Sequence, residues 1–395
     1  MQKLLTESNV KIELILSMGK MFLLNSFKSI SFLALTLVIL LKFGNLSWGQ
    51  ISVYYLSLLV LQYIALFSFE TFCQHSILDN PAATTSIWKD AIRVRLSIAY
   101  LLIAILALFK IPLTLLLLAT CYLILQIYNE SYKVIAKLED KINSWNLISW
   151  LSLIVTIGWI LFSKTQLSFQ ELLIVLVVTQ GMRLALLCTY FYSTYPLPYL
   201  PRTDFTQLKK SGMYFLRSSI VLLNNKTPFL LGAILLGSIS MSSFHMILLW
   251  TYTGCTIIHL LGTSGILDFT DLNRDALKES VLKMVIGGTV MGLTWVGICL
   301  VFLNKFQMNS ISFWWIIPVF ILLLFTSIQL PLLYALLKVK EDKNILRIFA
   351  LCVTLQTILG YWFLTQQEII LCLWILGLTA VLQTLLYMKV LSRII

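Results

Sequence analysis

Residues 209–237 read KKSGMYFLRSSIVLLNNKTPFLLGAILLG. Most of this stretch could lie in lipid as a helix, yet it carries Arg217, Asn224, Asn225 and Lys226. A cation at mid-bilayer costs about 2.5–3.5 kcal/mol on insertion scales, so a span that keeps two of them needs a reason. The rest of the chain fixes the setting. Of its 395 residues, 59% are hydrophobic and 12% charged, against roughly 25% charged in soluble domains. That composition is that of a polytopic membrane protein.

Working outward with a window of about 20 residues, apolar segments fall near 18–43, 51–72, 93–109, 112–129, 144–163, 171–194, 211–236, 241–266, 281–304, 311–337, 345–365 and 368–388. Twelve helices are predicted, joined by short connections. Period-two alternation is sustained nowhere, which argues against an outer-membrane barrel. With the N-terminus inside, twenty Lys and Arg lie on the inner side and only Lys42, Lys110, Lys164 and Lys305 on the outer. Basic residues are retained on the cytoplasmic side, so the bias predicts an inner (plasma) membrane protein with both termini cytoplasmic. It also accounts for the formal charge of +12 without nucleic acid as a partner. The opening MQKLLTESNVKIELI is charged throughout and lacks a small-residue cleavage site. It reads as an amphipathic helix on the inner leaflet rather than a signal peptide. The seven cysteines are scattered without CxxC pairs and read as small buried apolar residues, with no metal site expected.

Sliding the sequence on itself tests for an internal repeat. At a spacing of 193, SMGKMFLLNS (17–26) falls on KSGMYFLRSS (210–219), matching Gly19 with Gly212, Phe22 with Phe215, Leu23 with Leu216 and Ser26 with Ser219. The same spacing matches Gly44 with Gly237 and Ser47 with Ser240. The expected fold is therefore all-α, with about twelve transmembrane helices in two pseudo-symmetric six-helix bundles, 1–200 and 201–395, around a central cavity. Six spans per repeat make the halves parallel, related by an axis along the membrane normal.

The loop and second helix FGNLSWGQISVYYLSLLVLQYIALFSFE, and the segment SGMYFLRSSIVLLNNKTPFLLGAILLGSISMSSFHMILLW, resemble the openings of the two halves of Wzx-type flippases for O-antigen and capsule repeat units, within the MOP exporter superfamily. That resemblance implies a MATE-like fold. It also implies movement of a polyprenyl-diphosphate-linked oligosaccharide between leaflets by alternating access, with membrane lipids and glycan polymerase machinery as partners and no cofactor. The chain is short for that family, with no room for the extra C-terminal helix pair of some relatives.

The residues make a separate case for an anionic passenger. Removing the loop cations from the 29 Lys and Arg leaves Lys20, Lys28, Arg183, Arg217 and Lys226 inside apolar segments. The clear carboxylate in the inner half of a span is Glu70. Nearly unpaired cations do not face lipid; they are expected to line a wet cavity that favours a diphosphate. At 100° per residue, the repeat puts Lys20 and Lys28 at positions equivalent to 213 and 221, one turn either side of Arg217, and Asn224 continues that face. Lys226 points away unless Pro228 bends the helix. Structural readings compete: Lys20 could snorkel to the surface, and Arg183, beside Gln180 and Gly181, could tie helices together. His245 and His259, fourteen residues apart on one face, and Glu70 are candidates for H⁺ or Na⁺ coupling. For the histidines an interhelical hydrogen bond competes, and for Glu70 packing with His75 or Arg95.

No DxD pair, HExxH, Walker A or GxSxG motif is present, and the predicted outer loops are tiny, so an enzyme is not expected. The alternatives are a MATE-like small-molecule or cation antiporter, which should place a membrane-embedded acid in one lobe, and a membrane-embedded glycan polymerase or glycosyltransferase.

Overall fold

A computed structural model describes the backbone of residues 2–394 apart from 164–166, 203, 267–273, 306–312 and 340. Within that backbone it describes all side chains but those of 2–30, 32, 45, 213, 217, 218, 220–222, 224–226, 238, 239, 259–266, 274, 276, 302–305, 313 and 342. Twelve α-helices follow in order: α1 (Gln2–Leu66), α2 (Phe69–Asp79), α3 (Thr84–Leu108), α4 (Leu113–Leu138), α5 (Ile142–Phe162), α6 (Phe169–Phe191), α7 (Phe205–Leu235), α8 (Ser238–Ile266), α9 (Arg274–Lys305), α10 (Ile316–Lys338), α11 (Asp342–Thr365) and α12 (Ile369–Leu391). No strand occurs among the described residues. Nine helices among those residues are long and apolar enough to cross a bilayer. The protein is a multi-pass membrane protein, and each of the twelve predicted windows falls mainly on helical backbone.

Burial runs as a bilayer dictates. Leu108 and Phe162 are 80% and 86% exposed, while Asn129, Ser131 and Thr179 are fully buried. Helix faces without polar groups are left to lipid, and hydroxyl and amide side chains bond between helices.

Two predicted boundaries move. Long α1 takes in both of the first two predicted windows, divided at Gly44, which sits at φ 81, ψ 175, a region open to glycine. The second span is not continuous over 51–72: Phe67 and Ser68 take φ of 40 and 54, breaking it between α1 and α2. Helix α4 runs on to Leu138 rather than ending at 129, which turns Lys133 and Lys137 from loop cations into helix residues. The N-terminal residues predicted to lie on the inner leaflet are helical from Gln2 as the start of α1.

The chain divides into two compact units, one of residues Ala34–Ser219 and one of Met1–Leu33 with Ile220–Ile395. In the first, α4 packs against α2, α3, α5 and α6, with α2 on α3 and α5 on α6. In the second, α10 packs against α8, α9, α11 and α12, with α8 on α9 and α11 on α12. Every pair in one unit thus has its counterpart six helices later, which is the internal repeat seen as packing.

The spacing of the repeat changes along the chain. Gly44 breaks α1, and Gly237 lies between α7 and α8, as the spacing of 193 requires. The later helices repeat at 200: α4 and α10 end at Leu138 and Lys338, α5 and α11 begin at Ile142 and Asp342, and α6 and α12 span Phe169–Phe191 and Ile369–Leu391. Helix α9 has 32 residues where α3 has 25, a difference equal to the change in spacing.

Hydrogen bonds repeat with the helices. Asn129 Nδ2 donates to the Gln180 carbonyl at 3.2 Å, and Gln329 Nε2 to the Ala380 carbonyl at 2.8 Å. Ser152 Oγ donates to the Thr179 carbonyl at 3.1 Å, and Cys352 Sγ approaches the Thr379 carbonyl at 3.9 Å. Interhelical bonds within a membrane are worth about 0.6 kcal/mol on average. Asn129→Leu and Gln329→Leu are therefore each expected to lower stability by only about 0.5–1.5 kcal/mol, measured by thermal unfolding in detergent. A collapse of the Gln329 variant would show that its amide carries more than the one bond to the Ala380 carbonyl.

Candidate functional site

In the unit of residues 34–219 one cluster of charged side chains lies around the central helix α4. Near its end, Lys133 Nζ lies 2.9 Å from Glu70 Oε2, and Lys137 bonds the other carboxylate oxygen. Four-residue spacing puts the two lysines on one face of α4. Glu70 was expected to pack with His75 or Arg95 and does neither. The extension of α4 brings both lysines to it, His75 stacks on Tyr214 at 5.1 Å, and Arg95 is engaged at the helix break.

One turn back, Glu130 is 6% exposed and interacts electrostatically with Lys133, Arg183 and Tyr122. Arg183 on α6 is 4% exposed. Its guanidinium lies 4.4 Å from the centre of the Trp145 ring, and Lys133 Nζ lies 5.7 Å from the same ring. Both cations thus face one indole on α5, an arrangement stronger when desolvated. Trp145 itself is fixed by donating its Nε1 hydrogen to the Asn129 carbonyl at 3.2 Å. Next to Arg183, Gln180 Oε1 accepts from Asn129 at 3.0 Å. A second polar group continues towards α1: Tyr122 donates to Gln62 at 3.1 Å and Gln62 to Gln126 at 3.2 Å.

Arg95, assigned to a loop by the hydropathy reading, is a fully buried cation on α3. Its Nε donates to the Leu66 carbonyl at 3.3 Å, and one terminal nitrogen donates to the Phe67 carbonyl at 3.1 Å and Ser211 Oγ at 3.0 Å. It also lies over the Phe69 and Phe72 rings at 5.6 and 5.2 Å. It therefore supplies donors to carbonyls that the break leaves without helical partners. Phe215 on α7 stacks on Phe67 at 4.1 Å, so α7 begins packed on the break.

The equivalent positions of the second repeat carry no charge. Two hundred residues beyond Glu130, Lys133, Lys137 and Arg183 stand Leu330, Leu333, Leu337 and Gln383. His245 is fully buried on α8 with the Phe229 ring edge-on at 5.0 Å. The side chains of Lys20, Lys28, Arg217, Asn224, Lys226 and His259 lie outside the described residues; their backbones are helical, in α1, α7 and α8. Of the sequence-predicted residues, then, Arg183 and Glu70 share one cluster through Lys133, while His245 lies in the other unit. Sequence reasoning missed Glu130, Lys133 and Arg95. The signal for the first two was the i, i+3 and i, i+4 spacing in ESYKVIAK, which the hydropathy window cut off.

Among the described residues no group of three or more His, Cys, Asp or Glu could hold a metal ion.

No family model matches the chain, and no curated protein sequence does. Solved structures do. An inward-facing multidrug resistance MATE family transporter of the MOP superfamily aligns over 93% of this chain and 95% of its own, at a TM-score of 0.69 and 13% identity. An outward-facing structure of the same description covers 96% and 95%, with a TM-score of 0.60 and 13% identity. A MOP superfamily transporter from Pyrococcus furiosus, described by the reverse polarity of its binding pocket, covers 96% and 95% at 0.53 and 12%. At such identities the likeness is one of fold, and the fold of this chain is that of the MATE transporters of the MOP superfamily.

Proposed function

We propose that the protein is a flippase that moves polyprenyl-diphosphate-linked oligosaccharide repeat units across the bacterial inner membrane by alternating access of lobes 1–200 and 201–395, with both termini cytoplasmic. The observation that carries this reading is the concentration of cations in the first repeat and at the starts of both halves. Arg183, Lys133 and Lys137 have neutral counterparts in the second repeat, while Lys20, Lys28, Arg217 and Lys226 fall in the paired helices that open each half. A diphosphate offers the charge and acceptor oxygens that Arg and Lys bind best. Its polyprenyl chain stays in lipid while the glycan needs a hydrated path.

Arg217→Ala and Lys28→Ala are expected to stop surface display of the glycan, at least tenfold, while membrane insertion is unchanged. The measurement is surface-glycan staining beside a membrane-fraction immunoblot. Normal glycan in both variants would refute the anionic passenger.

One observation favours the alternative, a cation or drug antiporter: Glu130 is a buried carboxylate in one lobe, and the similar solved structures include multidrug transporters. Resistance to cationic dyes conferred by the wild type and lost in Glu130→Gln, with surface glycan unaffected, would select that reading.

A further inference from the structure

We propose that Arg93 and Arg202, with the exposed tip of residues 199–201 beside them, bind the phosphate of an anionic phospholipid. The site lies at the edge of the unit of residues 34–219 and holds whatever the protein transports.

The connector between α6 and α7 reads YSTYPLPYLPRTD over residues 192–204, and each of its three prolines fixes a backbone φ. It is tied to α4 and α3 at three points. Tyr132 on α4 donates its hydroxyl to the Tyr195 carbonyl at 3.1 Å, and Tyr128 donates to the Pro198 carbonyl at 2.9 Å. The Arg202 amide then donates to the Arg93 carbonyl of α3 at 3.3 Å. Between the last two ties stand Tyr199 and Leu200, 79% and 61% exposed, and Phe205 just beyond is 80% exposed. Fixed on both sides, the tip cannot turn its apolar groups inward.

The same tie brings two guanidinium groups together. Arg93 and Arg202 each place a terminal nitrogen on one oxygen of Asp90, at 3.2 and 3.5 Å, and their side chains stay 37% and 58% exposed. One carboxylate against two guanidinium groups leaves a positive charge and further N–H donors, which a phosphate matches well. The other acid of the connector, Asp204, is already engaged, its Oδ1 accepting from the Thr206 and Gln207 amides at 3.0 and 3.1 Å. Lys89, next to Asp90, and Lys209 and Lys210, near the start of α7, add positive charge to the same stretches.

The depth of the site selects lipid as its occupant. The span of Pro81–Leu108 has 28 residues, about 42 Å at 1.5 Å per residue, whereas the hydrocarbon core is about 30 Å thick. Its charged start, with Lys89, Asp90 and Arg93, is the end that reaches into the headgroup layer. Helix α6 stops at Phe191, so the connector begins at that layer too. Tyrosine is favoured at this level, where Leu200 can meet acyl chains while a phosphodiester meets the two guanidinium groups. A zwitterionic headgroup brings its own ammonium and forfeits most of that attraction.

Native mass spectrometry of the full chain in nonionic detergent, with added phosphatidylglycerol or phosphatidylcholine of the same acyl chains, reads the binding directly. The wild type is expected to prefer phosphatidylglycerol by about fivefold for each guanidinium. Arg202→Gln loses one such factor, and the double variant Arg93→Gln with Arg202→Gln loses both. Leu200→Ser is expected to weaken both lipids alike and leave the preference in place.

Asp90→Asn separates this site from a merely structural ion-pair triad. It breaks both ion pairs yet removes the competing carboxylate, so phosphatidylglycerol is expected to bind more tightly than to the wild type. A structural triad would instead lose thermal stability with no change in lipid preference. A wild type without preference, a preference kept in the double arginine variant, or one unmoved in Asp90→Asn overturns the proposal. Displacement of the lipid by inorganic phosphate at equal concentration overturns it as well, since that would make the arginines a site for free anions.

Discussion

Arg95→Ala is expected to lower the stability of the protein by about 4 kcal/mol, enough to leave little folded material in mild detergent. The magnitude follows from what the guanidinium does. The carbonyls of Leu66 and Phe67 end α1 without helical partners, and Arg95 donates to both at 3.3 and 3.1 Å. A buried acceptor left unsatisfied costs about 1–3 kcal/mol, and two are exposed by the substitution. The remainder is packing, since truncation empties space against the Phe69 and Phe72 rings. The positive charge also complements the negative end of a helix, so Arg95→Lys should recover part of the loss but not all. A lysine cannot reach two carbonyls and Ser211 with a planar fork. Tryptophan-monitored thermal unfolding checks this, and an alanine variant that melts with the wild type would refute the clamp.

Gly288→Val is the second large effect, at about 3 kcal/mol or more. A Cβ at Gly288 would come within 2.8 Å of Ser327 Cβ and closer still to its hydroxyl oxygen. That hydroxyl is held in place, donating to the Met284 carbonyl at 3.0 Å and the Leu324 carbonyl at 2.7 Å. Helices α9 and α10 must therefore separate, and overpacking of a close contact costs about 1–3 kcal/mol before polar bonds are lost. Small residues are what allow such approaches within a membrane. Because the clash is with one side chain, Ser327→Gly should restore part of the loss in the double variant, a coupling that thermal unfolding of all three proteins measures. Strict additivity would place the strain elsewhere.

The twelve helices were legible because hydropathy is a sum over many residues and tolerates local exceptions. The repeat was legible where glycines mark the helix breaks, at Gly44, whose φ of 81 favours glycine, and at Gly237 between α7 and α8. The break at Phe67 and Ser68 was not. FSF contains neither glycine nor proline, and the donors that settle there belong to Arg95, 28 and 29 residues further on. The end of α4 was hidden for the opposite reason. Charges in ESYKVIAK lower a hydropathy window, yet in the fold Glu70 answers two of those lysines and Arg183 answers the glutamate. A window scores each residue against lipid, whereas the protein scores it against its neighbours. Arg183 itself was legible as an unusual residue in an apolar segment, but the Trp145 ring it lies over and the Glu130 charge it interacts with stand 38 and 53 positions earlier in the chain.

The paired hydrogen bonds at a spacing of 200 bear on ancestry. The donors have drifted, Asn129 against Gln329 and Ser152 against Cys352, while the acceptors are main-chain oxygens of residues 179, 180, 379 and 380. A main-chain oxygen is common to every amino acid, so selection can keep the bond while the letter at that position changes freely. A duplication remembered in this way loses its trace in letter-by-letter comparison long before it loses its shape. That is how a chain can hold its architecture over 93% of its length at 13% identity while Glu130, Lys133, Lys137 and Arg183 of one copy correspond to Leu330, Leu333, Leu337 and Gln383 of the other.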